Sequence, residues 1–222
     1  MFNVPKDAGQ APARLAESGY VPLADFLTAE GLTLLWQEAA RLGDIALRRD
    51  FSMACMDDSP RRMTTLGGQM IAEKSQMIPR LYKGEELISL LGRLTGQDVA
   101  PVPDPMERHV LNILHQHGDT HGGHTDDYPY ALVLFLEAPS DPEDGGLLEF
   151  TPHTPDLAAL GTPAAVTAHH QAGDAYLLRS DTTAHRVTPL TRPGARRTVL
   201  NFAYTLPNHT VHKTNSADQL YR

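Results

Sequence analysis

The sequence has a single cysteine, Cys55, among its 222 residues. One thiol cannot form an intrachain disulfide, which excludes a disulfide-stapled secreted scaffold and is typical of a cytoplasmic chain. We expect Cys55 to be a buried small apolar residue. No apolar run reaches membrane-spanning length, and the first residues lack the basic-then-apolar order of a signal peptide. The sequence therefore predicts a cytoplasmic protein that does not insert into membranes.

Basic residues are fewer than acidic ones, 19 against 27, which gives a formal net charge of −8. Nucleic-acid backbones are bound by clustered Lys and Arg, so this balance argues against a nucleic-acid partner and favours a small polar or cationic one. A hydrophobic content of 41% and a charged content of 21% are globular values. The length suits one domain, 1–222, and the sequence leaves its oligomeric state open.

Residues 1–100 are predicted to form a helical support and a lid. One helix begins after Thr28, a good N-cap, and ends at Gly43. A second spans 85–94, where leucines recur at helical spacing. The stretch between them, 50–77, has no steady period and is predicted to be a loop or lid.

From residue 108 onward the period becomes that of β-strands. Many short strands separated by Gly, Pro, Asp and Ser turns predict a double-stranded β-helix, the jelly-roll or cupin-like fold, over 101–206. The fold class is then α+β, mainly β, with the N-terminal helices packed on one sheet. The polar stretch 207–222 is either a tail or a flap over the site mouth. The predicted strands are 108–115, 129–136, 146–150, 164–168, 175–178, 184–189 and 197–205.

Three residues are candidate metal ligands. His124 and Asp126 are two positions apart, so they face the same side if the segment is extended. His185 follows after several strands and can return to the same place. Two imidazoles and one carboxylate leave three positions of an octahedral ion open, as in non-haem Fe(II) oxygenases. A His-x-Asp motif is weak by itself, and ordinary surface positions are the alternative.

Two other histidine groups compete for a metal. They are His169-His170 and the pair formed by His115 and His117. Neither has a partner carboxylate in register, so we predict loop or sheet-surface positions for them.

The order of these ligands, with Arg197 on the strand after His185, resembles that of the 2-oxoglutarate-dependent Fe(II) oxygenases over residues 107–205. The resemblance implies bound Fe(II), with 2-oxoglutarate and O2 as co-substrates. Arg197 would bind the far carboxylate of 2-oxoglutarate, because a guanidinium meets a carboxylate with two parallel hydrogen bonds. Strand alternation places Arg197 inside and Arg196 outside if the face of Asn201 looks into the barrel, and a one-residue register error reverses this.

The segment Glu107 … His121-Gly122-Gly123-His124-Thr125-Asp126-Asp127-Tyr128-Pro129 resembles the free-amino-acid branch of that superfamily, the lysine radical halogenases and their hydroxylase relatives. In the halogenases a Gly replaces the metal carboxylate and opens a position for chloride. Asp126 fills that position here, so the resemblance implies a hydroxylase. The amino-acid-binding residues implied by the resemblance are Glu107, His121, Asp127, Arg61, Asn201 and Tyr221, the last in place of a Trp.

The chemistry of these residues agrees with a free basic amino acid as substrate, with L-lysine expected. Carboxylates would bind its amines, and a guanidinium would bind its carboxylate. Without the resemblance, solvated surface positions would explain the same charges. The alternatives are an oxygenase acting on another small polar metabolite, a desaturation outcome, or a non-catalytic metal-binding jelly-roll sensor.

Overall fold

The computed structural model describes residues 1–211 and 213–221; His212 and Arg222 of the predicted C-terminal segment lie outside the described residues. Within the described residues twelve strands join into one hydrogen-bonded system. The strands are β1 Tyr20–Leu23, β2 Leu47–Met53, β3 Ser59–Leu66, β4 Ala100–Pro101, β5 His109–Leu114, β6 Thr120–His124, β7 Tyr130–Glu137, β8 Leu148–Phe150, β9 Val166–Ala168, β10 Ala175–Arg179, β11 His185–Val187 and β12 Arg197–Thr205.

The strand order is β1-β10-β7-β12-β5-β3-β6-β11-β8-β9, with β2 added to β3 and β4 added to β12. All pairings are antiparallel. A larger half, from β1 to β3, continues into a smaller half of β6, β11, β8 and β9, and the sheet curls so that the two halves face each other. This arrangement confirms the predicted mainly-β, jelly-roll fold class.

The long central strand β7 explains how the curled sheet is buried on both faces. Successive side chains of a strand point to opposite sides. Leu132 and Leu134 belong to the apolar cluster under the helices. Val133 and Phe135 belong to a second cluster inside the barrel. Because both faces of β7 are buried, its sequence is a continuous apolar run in which polar and apolar residues do not alternate.

Six α-helices lie within the described residues, and the first five cover the outer face of the larger half. They are α1 Ala11–Ser18, α2 Ala29–Gly43, α3 Gly68–Lys74, α4 Met77–Tyr82, α5 Glu85–Thr95 and the C-terminal α6 Ser216–Tyr221, which instead contacts β3. The predicted caps are present. The Thr28 hydroxyl accepts a hydrogen bond from the Gly31 amide at 3.0 Å, and Gly96 ends α5 with φ 68°. No helix described in 1–211 or 213–221 has the length and hydropathy needed to cross a membrane.

The prediction of a loop or lid over 50–77 was wrong. This stretch holds most of the β2–β3 hairpin and the helix α3, and β3 pairs with both β5 and β6. Residues 1–100 are therefore not simply a helical support. The alternation along β3 was hidden because its inward position 61 is an arginine, which is 1% exposed, where an apolar residue would have revealed the period.

One smaller prediction was also wrong. Cys55 lies in a 3-10 turn and is exposed, not buried. His170 lies in the loop between β9 and β10, as predicted, but is not exposed there. Its side chain is buried, accepts or donates a hydrogen bond with the Tyr20 hydroxyl at 2.9 Å, and stacks on Phe135 with 4.6 Å between ring centroids.

Candidate metal centre and binding cavity

His124, Asp126 and His185 converge at one end of the barrel. Each offers a ligand atom, and these atoms lie within 4.8 Å of one another. His124 and His185 are direct partners across the β6–β11 pair, which brings their rings to 4.1 Å between centroids. Asp126 lies just beyond the end of β6, where its amide donates to the Ser180 carbonyl at 3.0 Å. The structure therefore brings together three residues that are distant in sequence.

Hydrogen bonds set the tautomers of both histidines. His124 Nδ1 lies 2.8 Å from the Gly122 carbonyl oxygen, and His185 Nδ1 lies 2.9 Å from that of Thr183. A carbonyl only accepts, so both Nδ1 atoms carry a proton and both Nε2 atoms face Asp126. The Asp126 Oδ1 is 3.7 Å from Nε2 of His124 and 3.9 Å from Nε2 of His185.

The electrostatics of this cluster fit a divalent cation. Burial lowers the pKa of His124 well below its usual value and raises the pKa of Asp126. Neutral imidazoles are the form that binds a metal. A cation among them would compensate the partly buried carboxylate, which has no basic side chain in contact within the described residues other than these histidines. Two imidazoles and one carboxylate match the donor set of a non-haem Fe(II) site.

Arg197 lies inside the barrel beside this cluster, and Arg196 lies outside. The Arg197 residue is 2% exposed, and no ion pair involves it among residues 1–211 and 213–221. Burial lowers the pKa of its guanidinium, and the nearby Tyr176 opposes this. Its Nε has no hydrogen-bond partner. Arg196 has a half-exposed side chain that pairs with Glu137 at 3.3 Å.

A second buried cation, Arg61, lies near His124 and Asp126, on the side away from Arg197. It is 1% exposed, and burial lowers its pKa to about 10. Its Nη1 donates to the Ser59 hydroxyl at 2.8 Å and the Pro60 carbonyl at 3.2 Å, while Nε has no partner. These neutral acceptors orient the guanidinium without neutralising it, so the site still favours an anion.

Two carboxylates line the same cavity as Arg61. Burial, with Asp127 and Asp126 as further causes, raises the pKa of Glu107 to about 8, and its Oε1 has no hydrogen-bond partner. Asp127 is 7% exposed and accepts two hydrogen bonds from Thr214, both of 3.0 Å. A cavity that contains buried groups of both signs suits a small dipolar ligand with at least one additional amine.

All ten predicted site residues line two adjoining cavities. The inner cavity contains Arg197 and His185, and the outer one contains Arg61, Glu107, Asp127 and Tyr221. Both include His121, His124, Asp126 and Asn201. His121 stacks on His124 with ring planes 19° apart, and its Nε2 has no partner. The roles of these residues remain predictions, but their proximity is a property of the fold.

Several residues of the site were not predicted from the sequence. Ser59 orients Arg61, Phe135 and Tyr176 surround Arg197, and Thr214 holds Asp127. Tyr176 could have been found from the alternation of β10. Leu177 points to the helices and Leu178 to the interior of the barrel, so Tyr176 shares the interior face with Leu178. The sequence carries no comparable signal for Thr214. The cavity wall further includes Met53, Met56, Thr125, Ser216 and Leu220.

A model of the HalD family, described as halogenase D, matches residues 4–222. The chain belongs to this family. Membership of the halogenase D family supports the superfamily that the motif order indicates, while the lysine branch stays a prediction. A comparison with curated proteins gives no match.

Solved structures share the fold of this halogenase D family member. The non-haem, alpha-ketoglutarate-dependent epimerase SnoN from nogalamycin biosynthesis is 18% identical, with a TM-score of 0.72 and 96% of this chain and 86% of that chain covered. A prolyl-4-hydroxylase of Pseudomonas putida is 16% identical, with a TM-score of 0.61 and coverages of 90% and 100%. HygX of Streptomyces hygroscopicus, solved with nickel and 2-oxoglutarate, is 12% identical, with a TM-score of 0.63 and coverages of 93% and 91%. At these identities the likeness establishes the fold alone.

Proposed function

We propose that this protein is an Fe(II)- and 2-oxoglutarate-dependent dioxygenase that hydroxylates a free basic amino acid, with L-lysine as the substrate. One observation carries the proposal: a metal-ligand triad lies between a buried, unpaired guanidinium on one side and a buried cavity of mixed charge on the other. The first side suits a dicarboxylate co-substrate, and the second suits an amino acid.

The metal would be held by His124, Asp126 and His185, whose Nε2 and carboxylate oxygen atoms face one point. Fe(II) bound there would supply the activation of O2 and the removal of a hydrogen atom from the substrate. Three protein ligands would leave room at the metal for the co-substrates. The structural neighbours SnoN and HygX, crystallised with 2-oxoglutarate and a metal, support the same cofactors here.

Arg197 would bind the far carboxylate of 2-oxoglutarate. An arginine that is 2% exposed and lacks an ion-pair partner in the described chain is costly unless an anion joins it. Phe135 lies under the guanidinium, 4.9 Å from ring centroid to the central carbon, and the in-plane Nε donor has no partner. A dicarboxylate anchored at this depth would extend its other end to the triad.

The outer cavity would hold the amino acid at both ends. Arg61 and His121 would bind its carboxylate, and Glu107 and Asp127 would bind its amines, with Asn201 and Tyr221 completing the wall. Charged anchors at both ends fix which carbon lies nearest the metal, and this placement is the contribution of the protein to the rate and selectivity.

The retained carboxylate of Asp126 favours hydroxylation over the halogenation that the family description suggests. A chloride would need the coordination position that Asp126 occupies. The overall reaction then converts 2-oxoglutarate and O2 into succinate and CO2, and it inserts one oxygen atom into a C–H bond of the amino acid.

Mass spectrometry of an amino-acid panel tests the proposal. The protein is incubated in air with Fe(II), 2-oxoglutarate and chloride, and each of the basic amino acids is supplied in turn. We expect equal amounts of succinate and of a product heavier by one oxygen, with no chlorinated product. Failure across all basic amino acids removes the substrate claim.

The competing functions give different results in the same panel. Turnover with another small polar metabolite identifies a different substrate, and loss of two hydrogens identifies desaturation. A metal-bearing sensor binds 2-oxoglutarate or an amino acid and consumes neither. The buried Arg197 argues against a domain that binds only a metal ion, because such a domain does not need an unpaired guanidinium.

A further inference from the structure

The C-terminal segment, residues 213–221, forms one wall of the outer cavity. Ser216, Leu220 and Tyr221 line it together with His124 and Asp126. The segment therefore closes part of the cavity.

Thr214 connects this segment to the barrel. Its amide donates to Oδ2 of Asp127 at 3.0 Å, and its hydroxyl donates to Oδ1 of the same carboxylate at 3.0 Å. Asp127 is 7% exposed and lies directly after the metal ligand Asp126. A hydrogen bond to an ionised, buried carboxylate is stronger than one between neutral groups.

We propose that Thr214 is the positioning residue of the substrate site: its two hydrogen bonds to Asp127, the Thr214 latch, hold the C-terminal segment over the cavity and fix this carboxylate for a substrate amine. The substrate part of this inference rests on the proposed function. The latch itself rests on the contacts of Thr214.

The other connections of the segment are weaker or do not reach the substrate groups. Lys213 forms an ion pair with Asp104, but its side chain is 50% exposed, and exposed pairs contribute little. Arg49 donates to the Leu220 carbonyl at 2.8 Å, and Tyr221 packs on Gly67. Among the contacts described for residues 213–221, those of Thr214 are the ones that bind a carboxylate of the cavity.

The geometry of Asp127 lets it serve the latch and the substrate together. An ionised carboxylate has about four lone-pair positions on two oxygens. Thr214 uses one on each oxygen, which leaves others for a ligand in the cavity that Asp127 lines. The bound amine and the Thr214 latch then stabilise the same orientation of the Asp127 carboxylate. Coupling of this kind is reciprocal, so substrate binding also stabilises the closed segment.

Three variants separate the latch from simple packing. Thr214→Val removes the hydroxyl, which contacts Asp127 and also Ser216, and keeps the amide and the shape. Thr214→Ser restores the donor. Thr210→Val makes the same chemical change at an exposed residue just upstream and serves as the matched control. Each full-length protein is studied by amide hydrogen exchange of residues 215–221, with and without L-lysine, in the presence of Mn(II) and 2-oxoglutarate. L-Lysine affinity is measured by calorimetry on the same samples.

We expect Thr214→Val to accelerate exchange of the segment about tenfold or more and to weaken L-lysine binding by a similar factor, since a hydrogen bond to a charged group is lost. Thr214→Ser and Thr210→Val should remain within about twofold of the parent protein. In the parent, L-lysine should slow exchange of the segment. In turnover assays, Thr214→Val should raise KM for L-lysine and the ratio of succinate to product, with KM for 2-oxoglutarate unchanged.

Equal exchange in Thr214→Val and Thr210→Val overturns the latch. Faster exchange with unchanged L-lysine affinity overturns the positioning role. If the parent protein binds and converts no basic amino acid, the proposed function fails, and the exchange comparison still decides whether Thr214 holds the segment closed.

Discussion

The guanidinium of Arg197 lies over the ring of Phe135, with 4.9 Å between its central carbon and the ring centroid. The aromatic face supports the cation from below and offers it no hydrogen-bond acceptor. The ring therefore holds the guanidinium in place at the inner cavity without occupying its Nε donor, which has no partner. This relationship distinguishes Arg197 from its neighbour Arg196, which pairs with Glu137 on the outside.

The two adjacent arginines provide a matched test of co-substrate binding. Arg197→Met should raise KM for 2-oxoglutarate by about a hundredfold or more, because truncating one partner of a buried charge pair leaves the other unpaired. Arg196→Met should change it less than about threefold, since exposed ion pairs contribute little. Steady-state succinate formation measures both. Equal effects of the two variants would contradict the assignment of Arg197.

Asp126→Ala should abolish hydroxylation and weaken metal binding by more than about a hundredfold. Loss of a metal ligand costs more affinity than loss of a residue that only orients a ligand. Asp98→Ala, at an exposed position, is the control. Competition of Co(II) or Mn(II) binding with a chelator provides a readout independent of turnover. Retained metal affinity in Asp126→Ala would show that this carboxylate is not a ligand.

Glu107 makes binding of a cationic amino acid dependent on pH. Burial raises the pKa of its carboxyl to about 8, so at lower pH a proton must leave before an ammonium can bind the carboxylate. The affinity for the cationic amino acid should increase by up to about tenfold per pH unit until pH 8 and level off above it. Calorimetry in buffers with different ionisation enthalpies should detect the released proton. Glu107→Gln should bind more weakly and lose this pH dependence.

The same carboxyl should affect the free energy of unfolding. Its pKa is about 8 in the folded protein and near the ordinary value of 4.5 in the unfolded chain. A raised folded-state pKa gives stability that is complete below the ordinary value and is lost as pH rises through the folded value. Relative to Glu107→Gln, the parent protein should therefore lose stability between pH 4.5 and 8. Urea midpoints at the two ends of this range measure the difference, and parallel midpoints would exclude a buried neutral Glu107.

Gly67 should control the position of Tyr221. A Cβ atom at Gly67 would lie 2.6 Å from the Tyr221 Cβ, which is too close, so Gly67→Ala must displace the tyrosine from the cavity wall. We expect KM for L-lysine to rise about tenfold while KM for 2-oxoglutarate stays unchanged. Gly9→Ala is the control, because a Cβ there meets nothing within 4 Å. A crystal structure of Gly67→Ala with Tyr221 unmoved would refute this explanation.

The strands of the barrel were predictable because their periodicity reflects burial. The runs at 129–136 and 197–205 correspond to β7 and β12 within a residue or two. The hairpin of β2 and β3 was missed because an arginine faces the interior there, and a buried charge breaks the apolar alternation. A buried charge of this kind is expected at a functional position, where a polar residue is retained at a cost in stability.

The sequence by itself determined the fold class, the helix caps and the candidate ligands, because these depend on periodicity and on residue chemistry within short windows. Only the tertiary structure decided that His124 and His185 are partners across two strands, that Arg197 faces inward, and that Thr214 contacts Asp127. His124 and His185 are 61 positions apart in the sequence (185 − 124), and Asp127 and Thr214 are 87 positions apart (214 − 127). Strand pairing and chain closure bring such residues together, and no local pattern encodes which distant residue will be the neighbour.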